Sequence, residues 1–124
     1  ANFRKVFAPE TPPGQQEIDG FWELIQYNQG QRNFHRLIGY MPERIQHRER
    51  WVTALQQAAM PIGLVNGSMD PVSGDHMITR YLEVVGKPAY LARLPRIGHY
   101  PQIEAPNAVS EHVLAFLLQS ETLT

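Results

Sequence analysis

Cysteine is absent from this chain, which excludes disulfides, thiolate nucleophiles and cysteine-held metals. Long apolar runs are absent too: none approaches the ~20 residues that a membrane-spanning helix needs. The first residues show no signal-peptide pattern, which leaves the cytoplasm as the default compartment. Charge is sparse and balanced, with 11 Lys and Arg against 12 Asp and Glu and a formal net charge of −1. Without a basic stripe the chain has no footprint for nucleic acid. There is no His-Glu-X-X-His run and no tight group of His and carboxylates, so no metal site is expected. A Gly-X-Ser-X-Gly turn, which would present a serine nucleophile, is also missing.

What remains is 124 residues, 43% apolar, enough for one modest core. The pattern changes near residue 60. Pro9 to Gly14 cannot sustain a helix and forms an extended lead-in. Gln15 to Gln29 then sets Ile18, Phe21, Trp22, Leu24 and Ile25 at helical spacing, with Gly30 as the stop. A short helix over Asn33–Tyr40 should bury Phe34, Leu37 and Ile38. A third, with Pro42 in its first turn, should run to Ala58 on Ile45, Val52 and Leu55. Its run Glu43, Arg44, His47, Arg48, Glu49 and Arg50 reads as a solvated or internally paired face. Trp51 breaks that run and is expected to point inward.

After Met60 the pattern becomes strand, helix, strand, helix. Ile62 to Asn66 is too apolar for a half-exposed edge and fits a covered parallel sheet. A helix from Ser73 or Gly74 carries Ile78, Leu82 and Val85 and stops at Gly86. Tyr90 to Leu94 is the second strand. The last helix starts at Pro106, with Val109, Val113, Phe116 and Leu117 as its buried stripe.

Two turns carry the chemistry. Gly67-Ser68-Met69-Asp70-Pro71 follows the first strand, and Gly98-His99-Tyr100-Pro101-Gln102 follows the second. Parallel neighbours end on the same sheet edge, ~4.8 Å apart, so Asp70 and His99 can meet by hydrogen bond. Taken alone, Asp70-Pro71 is simply a good turn. Paired with His99, it becomes the acid–base half of a nucleophilic triad in the order acid, then base. The other histidines, His35, His47, His76 and His112, fall within helices and read as structural or solvated. No serine is suitably placed as a nucleophile: Ser68 is too near Asp70, Ser73 is a helix-start residue, and Ser110 and Ser120 belong to the last helix.

This ordered combination resembles the C-terminal end of the α/β-hydrolase family. The matching positions are Gly67-Ser68-Met69-Asp70, then Gly98-His99, then Gln102-Ile103-Glu104-Ala105-Pro106 ahead of the final helix. The resemblance implies an α/β fold with two parallel strands and flanking helices over residues 59–124. It also implies that residues 1–58 are a helical cap. Arg50-Trp51-Val52-Thr53-Ala54-Leu55 leading into Pro61 is similar to the cap exit of epoxide-hydrolase, haloalkane-dehalogenase and mesoderm-specific-transcript-like members. It further implies that Asp70 is the triad acid and His99 the general base, working without a cofactor on a small, mostly apolar ester, epoxide or haloalkane. The nucleophile, Ser or Asp, would come from a preceding part of a longer protein. Trp22, Tyr27, Tyr40 and Trp51 are the candidate substrate-facing aromatics. The expected partners are that preceding part, or a second copy joined through the Ile62–Asn66 edge. A non-catalytic binding protein that keeps the fold is the alternative, because function resides in the assembled site.

Overall fold

The computed structural model describes residues 3–121. The outermost positions of the two expected segments, 1–2 and 122–124, lie outside the described residues. The chain opens with a 3₁₀ turn, Phe3–Val6, followed by α1 (Gln15–Gln26), a second 3₁₀ stretch (Tyr27–Asn33), α2 (Phe34–Leu37), α3 (Tyr40–Gln46) and α4 (Arg48–Gln56). Strand β1 (Gly63–Gly67), α5 (Asp75–Val84), β2 (Tyr90–Leu94), α6 (Pro101–Glu104) and α7 (Pro106–Glu121) complete it. The arrangement is mixed: helices plus one small parallel sheet.

The α/β half follows from its residues. β1 and β2 pair in parallel, Gly63 opposite Tyr90 through Gly67 opposite Leu94. Between them α5 buries Ile78 completely. Gly86 then takes φ 109°, a left-handed conformation that suits glycine, and turns the chain toward β2. α7 lays Phe116 over β1 so closely that a side chain at Gly63 would press on its ring. At the far end of β1, a Cβ on Gly67 would collide with the carbonyl oxygens of Ile97 and Gly98. The two strand ends therefore approach only because residue 67 has no side chain. Beyond the strands, Ser68 N–H donates to Leu94 O and Met69 N–H to Ile97 O, each at 2.9 Å, so the two turns are laced together.

The helical half departs from the sequence reading in several places. α1 ends at Gln26 instead of Gln29, because Asn28 and Gln29 adopt φ 48° and 60° and fold the chain back. The expected third helix is two helices that meet at His47, where φ −107° and ψ 14° interrupt the spiral. Like charges at Arg44 and Arg48, four residues apart, work against a continuous helix there. Phe34, Leu37 and Ile38 were expected inside but are half or more exposed, Leu37 at 64%. Trp51 is 37% exposed along a groove between α4 and α5 instead of being enclosed. On α7, Val113 and Leu117 are open while Val109 and Phe116 are half-buried. In each case part of a helix's apolar face has no second layer against it. The sheet is open as well: Leu91 and Arg93 of β2 face out, and Leu64 and Val65 are only partly covered.

Among the described residues the hydrophobic core consists of Phe7, Ala8, Ile78, Ala92 and Leu94. Phe7 and Ala8 belong to the N-terminal stretch, which packs against the turn that carries His99. No helix among the described residues is long and apolar enough to cross a membrane.

Total accessible surface is 9286 Å² for 14.2 kDa, against about 6,800 Å² for a compact monomer of that mass. Large apolar side chains stand on that surface, among them Leu24, Tyr27, Ile45 and Leu118, and should draw the chain into association. Sedimentation velocity should show a concentration-dependent oligomer, and a compact, concentration-independent monomer would contradict this. Separately, Gly67→Ala should cost about 1–3 kcal/mol in a denaturant titration by forcing the strand ends apart. A neutral result would mean that the approach of the two turns is not tight.

Candidate active site

Asp70 is fixed before any ligand arrives. It caps the turn that follows β1, where its Oδ1 accepts the Val72 N–H at 2.7 Å and its Oδ2 accepts the Ser73 hydroxyl at 2.6 Å. Its own N–H donates to Gly67 O at 3.2 Å. This is the local bonding that makes Asp favourable in turns. One oxygen, however, does more than the turn requires. Oδ2 also accepts from His99 Nδ1 at 2.8 Å. The two strand ends bring together side chains 29 residues apart.

The electrostatics define the imidazole. Asp70 is 6% exposed. Burial pushes its carboxyl up, but hydrogen bonds from Ser73, His99 and the backbone of Val72 and Ser73 outweigh this and hold it below the usual carboxylate value. It is therefore ionised at neutral pH and can only accept hydrogen bonds. The neutral imidazole must then carry its proton on Nδ1, which leaves the Nε2 lone pair free to take one. Among the described residues no hydroxyl is bonded to Nε2. Ser73 does not fill that role, because its hydroxyl is committed to Asp70. The His99 side chain is 32% exposed, so the ring can be reached. The arrangement can hold an imidazole in one tautomer and stabilise it when protonated.

The remaining sequence candidates lie elsewhere. Trp22 is on α1, Tyr27 starts the second 3₁₀ stretch, Tyr40 starts α3 and Trp51 is on α4. All four are exposed, Tyr27 at 80%, and no ring contact joins them to one another or to His99 among the described residues. Trp51 instead lies 6.2 Å from the His47 ring. The aromatic beside the base is its neighbour in sequence. Tyr100 packs edge-on to the imidazole at 5.0 Å and is itself surrounded by Phe3, Phe7 and Phe21 at 5.5, 5.2 and 4.9 Å. Burial and the nearby Asp70 charge push its phenol up, so it stays neutral. Helical periodicity marks Phe21, but no local signal marks Phe3 or Phe7 as neighbours of residues 99 and 100. Of the other histidines, His112 Nδ1 meets the Tyr90 hydroxyl at 2.8 Å, tying α7 to β2, and His76 Nε2 meets Val72 O at 3.1 Å.

Two groups of known proteins are similar to this chain. The chain is 40% identical over 116 residues to a Mycobacterium tuberculosis protein named "Putative hydrolase LipZ", a match that takes in 94% of this chain. It is 31% identical over 121 residues to the mouse mesoderm-specific transcript protein and 32% identical to its human homologue, covering 90% of the chain in each case. The chain spans 40% of the length of LipZ and 34% of the mesoderm-specific transcript proteins. No protein-family model and no solved structure matches it.

A pH dependence follows from the depressed carboxylates. Glu104, like Asp70, has its carboxyl pushed up by burial and held down more strongly by hydrogen bonds, here from Thr11 and the backbone of Ala8, Gly98 and Tyr100. A group whose folded pKa lies below its unfolded one contributes stability above the unfolded value and loses it as pH falls through the folded one. Stability to urea should therefore hold at neutral pH and decline below about pH 4. Asp70→Asn should cost about 1–3 kcal/mol at pH 7 and flatten part of that decline, leaving the share due to Glu104. An acid-side slope identical to that of the native chain would contradict the account of Asp70.

Proposed function

We propose that this chain supplies the acid and the base of a capped α/β-hydrolase acting on a small, mostly apolar ester, epoxide or haloalkane. The observation that carries the reading is the 2.8 Å bond from His99 Nδ1 to a buried Asp70 carboxylate. In this reading residues 1–58 form the cap and residues 59–124 the end of the core. Trp22, Tyr27, Tyr40 and Trp51 face substrate once the remaining part of the protein is in place. That part also covers the open helix faces and pairs with the free side of β1; a second copy of the chain is the other candidate for that edge.

The chemistry has two forms. With a serine nucleophile, His99 Nε2 takes the hydroxyl proton as Oγ attacks the ester carbonyl, then returns it to the departing alkoxide. Water, deprotonated by the same nitrogen, afterwards attacks the acyl-serine, and that proton returns to the serine oxygen as the acid leaves. With an aspartate nucleophile, the carboxylate displaces halide as the free anion, or opens the epoxide to a hydroxy ester whose ring oxygen takes its proton from solvent; His99 then deprotonates the water that hydrolyses the ester and passes that proton to solvent. In both, Asp70 stays ionised, holds the tautomer and offsets the imidazolium charge. Similarity to a protein named a hydrolase supports the reading.

The test is turnover in the longest native protein that contains this chain, assayed on small esters, epoxides and haloalkanes. At least one class should be hydrolysed, and His99→Ala or Asp70→Asn should lower the rate about 10⁴-fold. The chain alone should show no turnover that depends on His99. Activity indifferent to His99→Ala would remove the proposal. Tight binding of these compounds without turnover would favour a non-catalytic binding protein instead.

A further inference from the structure

The turn that carries His99 has no ladder to hold it. β2 ends at Leu94 and α6 begins at Pro101, so residues 95–100 depend on other partners. His99 N–H donates to Val6 O at 2.9 Å. The amides on either side both go to one carboxylate: Gly98 N–H to Glu104 Oε2 at 2.8 Å and Tyr100 N–H to Oε1 at 3.0 Å. The same Oε2 also accepts the Ala8 N–H at 3.0 Å and the Thr11 hydroxyl at 2.6 Å. Four donors thus converge on one carboxylate, three on Oε2 and one on Oε1, and a carboxylate, which only accepts, suits that demand. Its bonds join three pieces of chain, namely the N-terminal stretch, the His99 turn and α6.

We propose that Glu104 is a positioning residue for His99, aiming the imidazole at Asp70 by holding the N–H groups of the residues on both sides of it, while Val6 O holds its own N–H. The direction of a side chain follows from its backbone angles, and here the two flanking amides share one anchor. The anchor also fixes Tyr100, whose ring lies edge-on to the imidazole. Only an ionised carboxylate can serve all of these donors. Glutamine is nearly the same size, but it would turn an NH₂ toward one of them and leave that group unsatisfied. This inference rests on the reading of His99 as general base, but its test reads the ring directly.

The experiment is ¹⁵N NMR of the labelled chain, comparing wild type, Glu104→Gln, Glu104→Ala and Tyr90→Phe. In wild type the neutral His99 should be a single tautomer with the proton on Nδ1 and a protected Nδ1–H signal. Glu104→Gln should mix the tautomers and lose that signal while far-UV circular dichroism stays native. Tyr90→Phe removes the remote bond to His112 and should leave the His99 signals unchanged. Should Glu104→Ala fail to fold, Glu104→Gln still decides the matter. Unchanged His99 tautomer and Nδ1–H signals in a folded Glu104→Gln chain would overturn the proposal. In the longest native protein, Glu104→Gln should lower kcat about 10- to 100-fold with KM little changed. A wild type without turnover would defeat the hydrolase reading, whereas an NMR change confined to the Glu104 variants would still uphold the positioning role.

Discussion

The close approach of two turns beyond a short parallel ladder is the constraint on which the rest depends. Gly67 admits the carbonyls of Ile97 and Gly98 where any side chain would exclude them. That contact lets Ser68 and Met69 bond across to Leu94 and Ile97. Asp70 and His99 then meet as a result of backbone packing, without long or flexible side chains reaching for each other. A carboxylate held by Val72 and Ser73 loses little freedom when it also accepts the imidazole, so the pair is largely pre-organised.

The parts legible from sequence are those that topology or local stereochemistry dictates. Two apolar runs around a helix of crossover length read as parallel neighbours, which puts residues 70 and 99 at one sheet edge. Gly86 and Pro106 mark element ends because one tolerates positive φ and the other suits a first helical turn. Periodicity was less informative about burial. It places Phe34 and Leu37 of α2, and Val113 and Leu117 of α7, inside, yet all four are exposed, because a face becomes core only when something lies against it. The break at His47 and the left-handed pair Asn28–Gln29 turn on small differences in backbone energy that no spacing rule resolves.

Glu104 and Phe7 illustrate the other limit. Glu104 stands in a stretch that reads as a motif, but its partners include Ala8, 96 residues away. Phe7 lies in a short segment with no period to read, beside a proline-rich lead-in, and is nevertheless among the most buried residues. Contacts of this kind join a side chain to a distant backbone, and only the assembled fold makes them visible. Trp22, Tyr27, Tyr40 and Trp51 are exposed on separate elements, and spacing along a helix does not say which surface such side chains will share.

The span of the Ala8–Glu104 bond has a consequence for the order of assembly. Strands β1 and β2 are joined by a local crossover, so their ladder closes a short loop. The anchor of the His99 turn instead closes nearly the whole chain, and the entropy of closure rises with loop length. The sheet can therefore be in place while the imidazole still lacks its heading. Closing that contact costs more chain entropy than pairing the strands, so whatever keeps residues 6–8 from the turn leaves a paired sheet with part of the anchor around His99 undone.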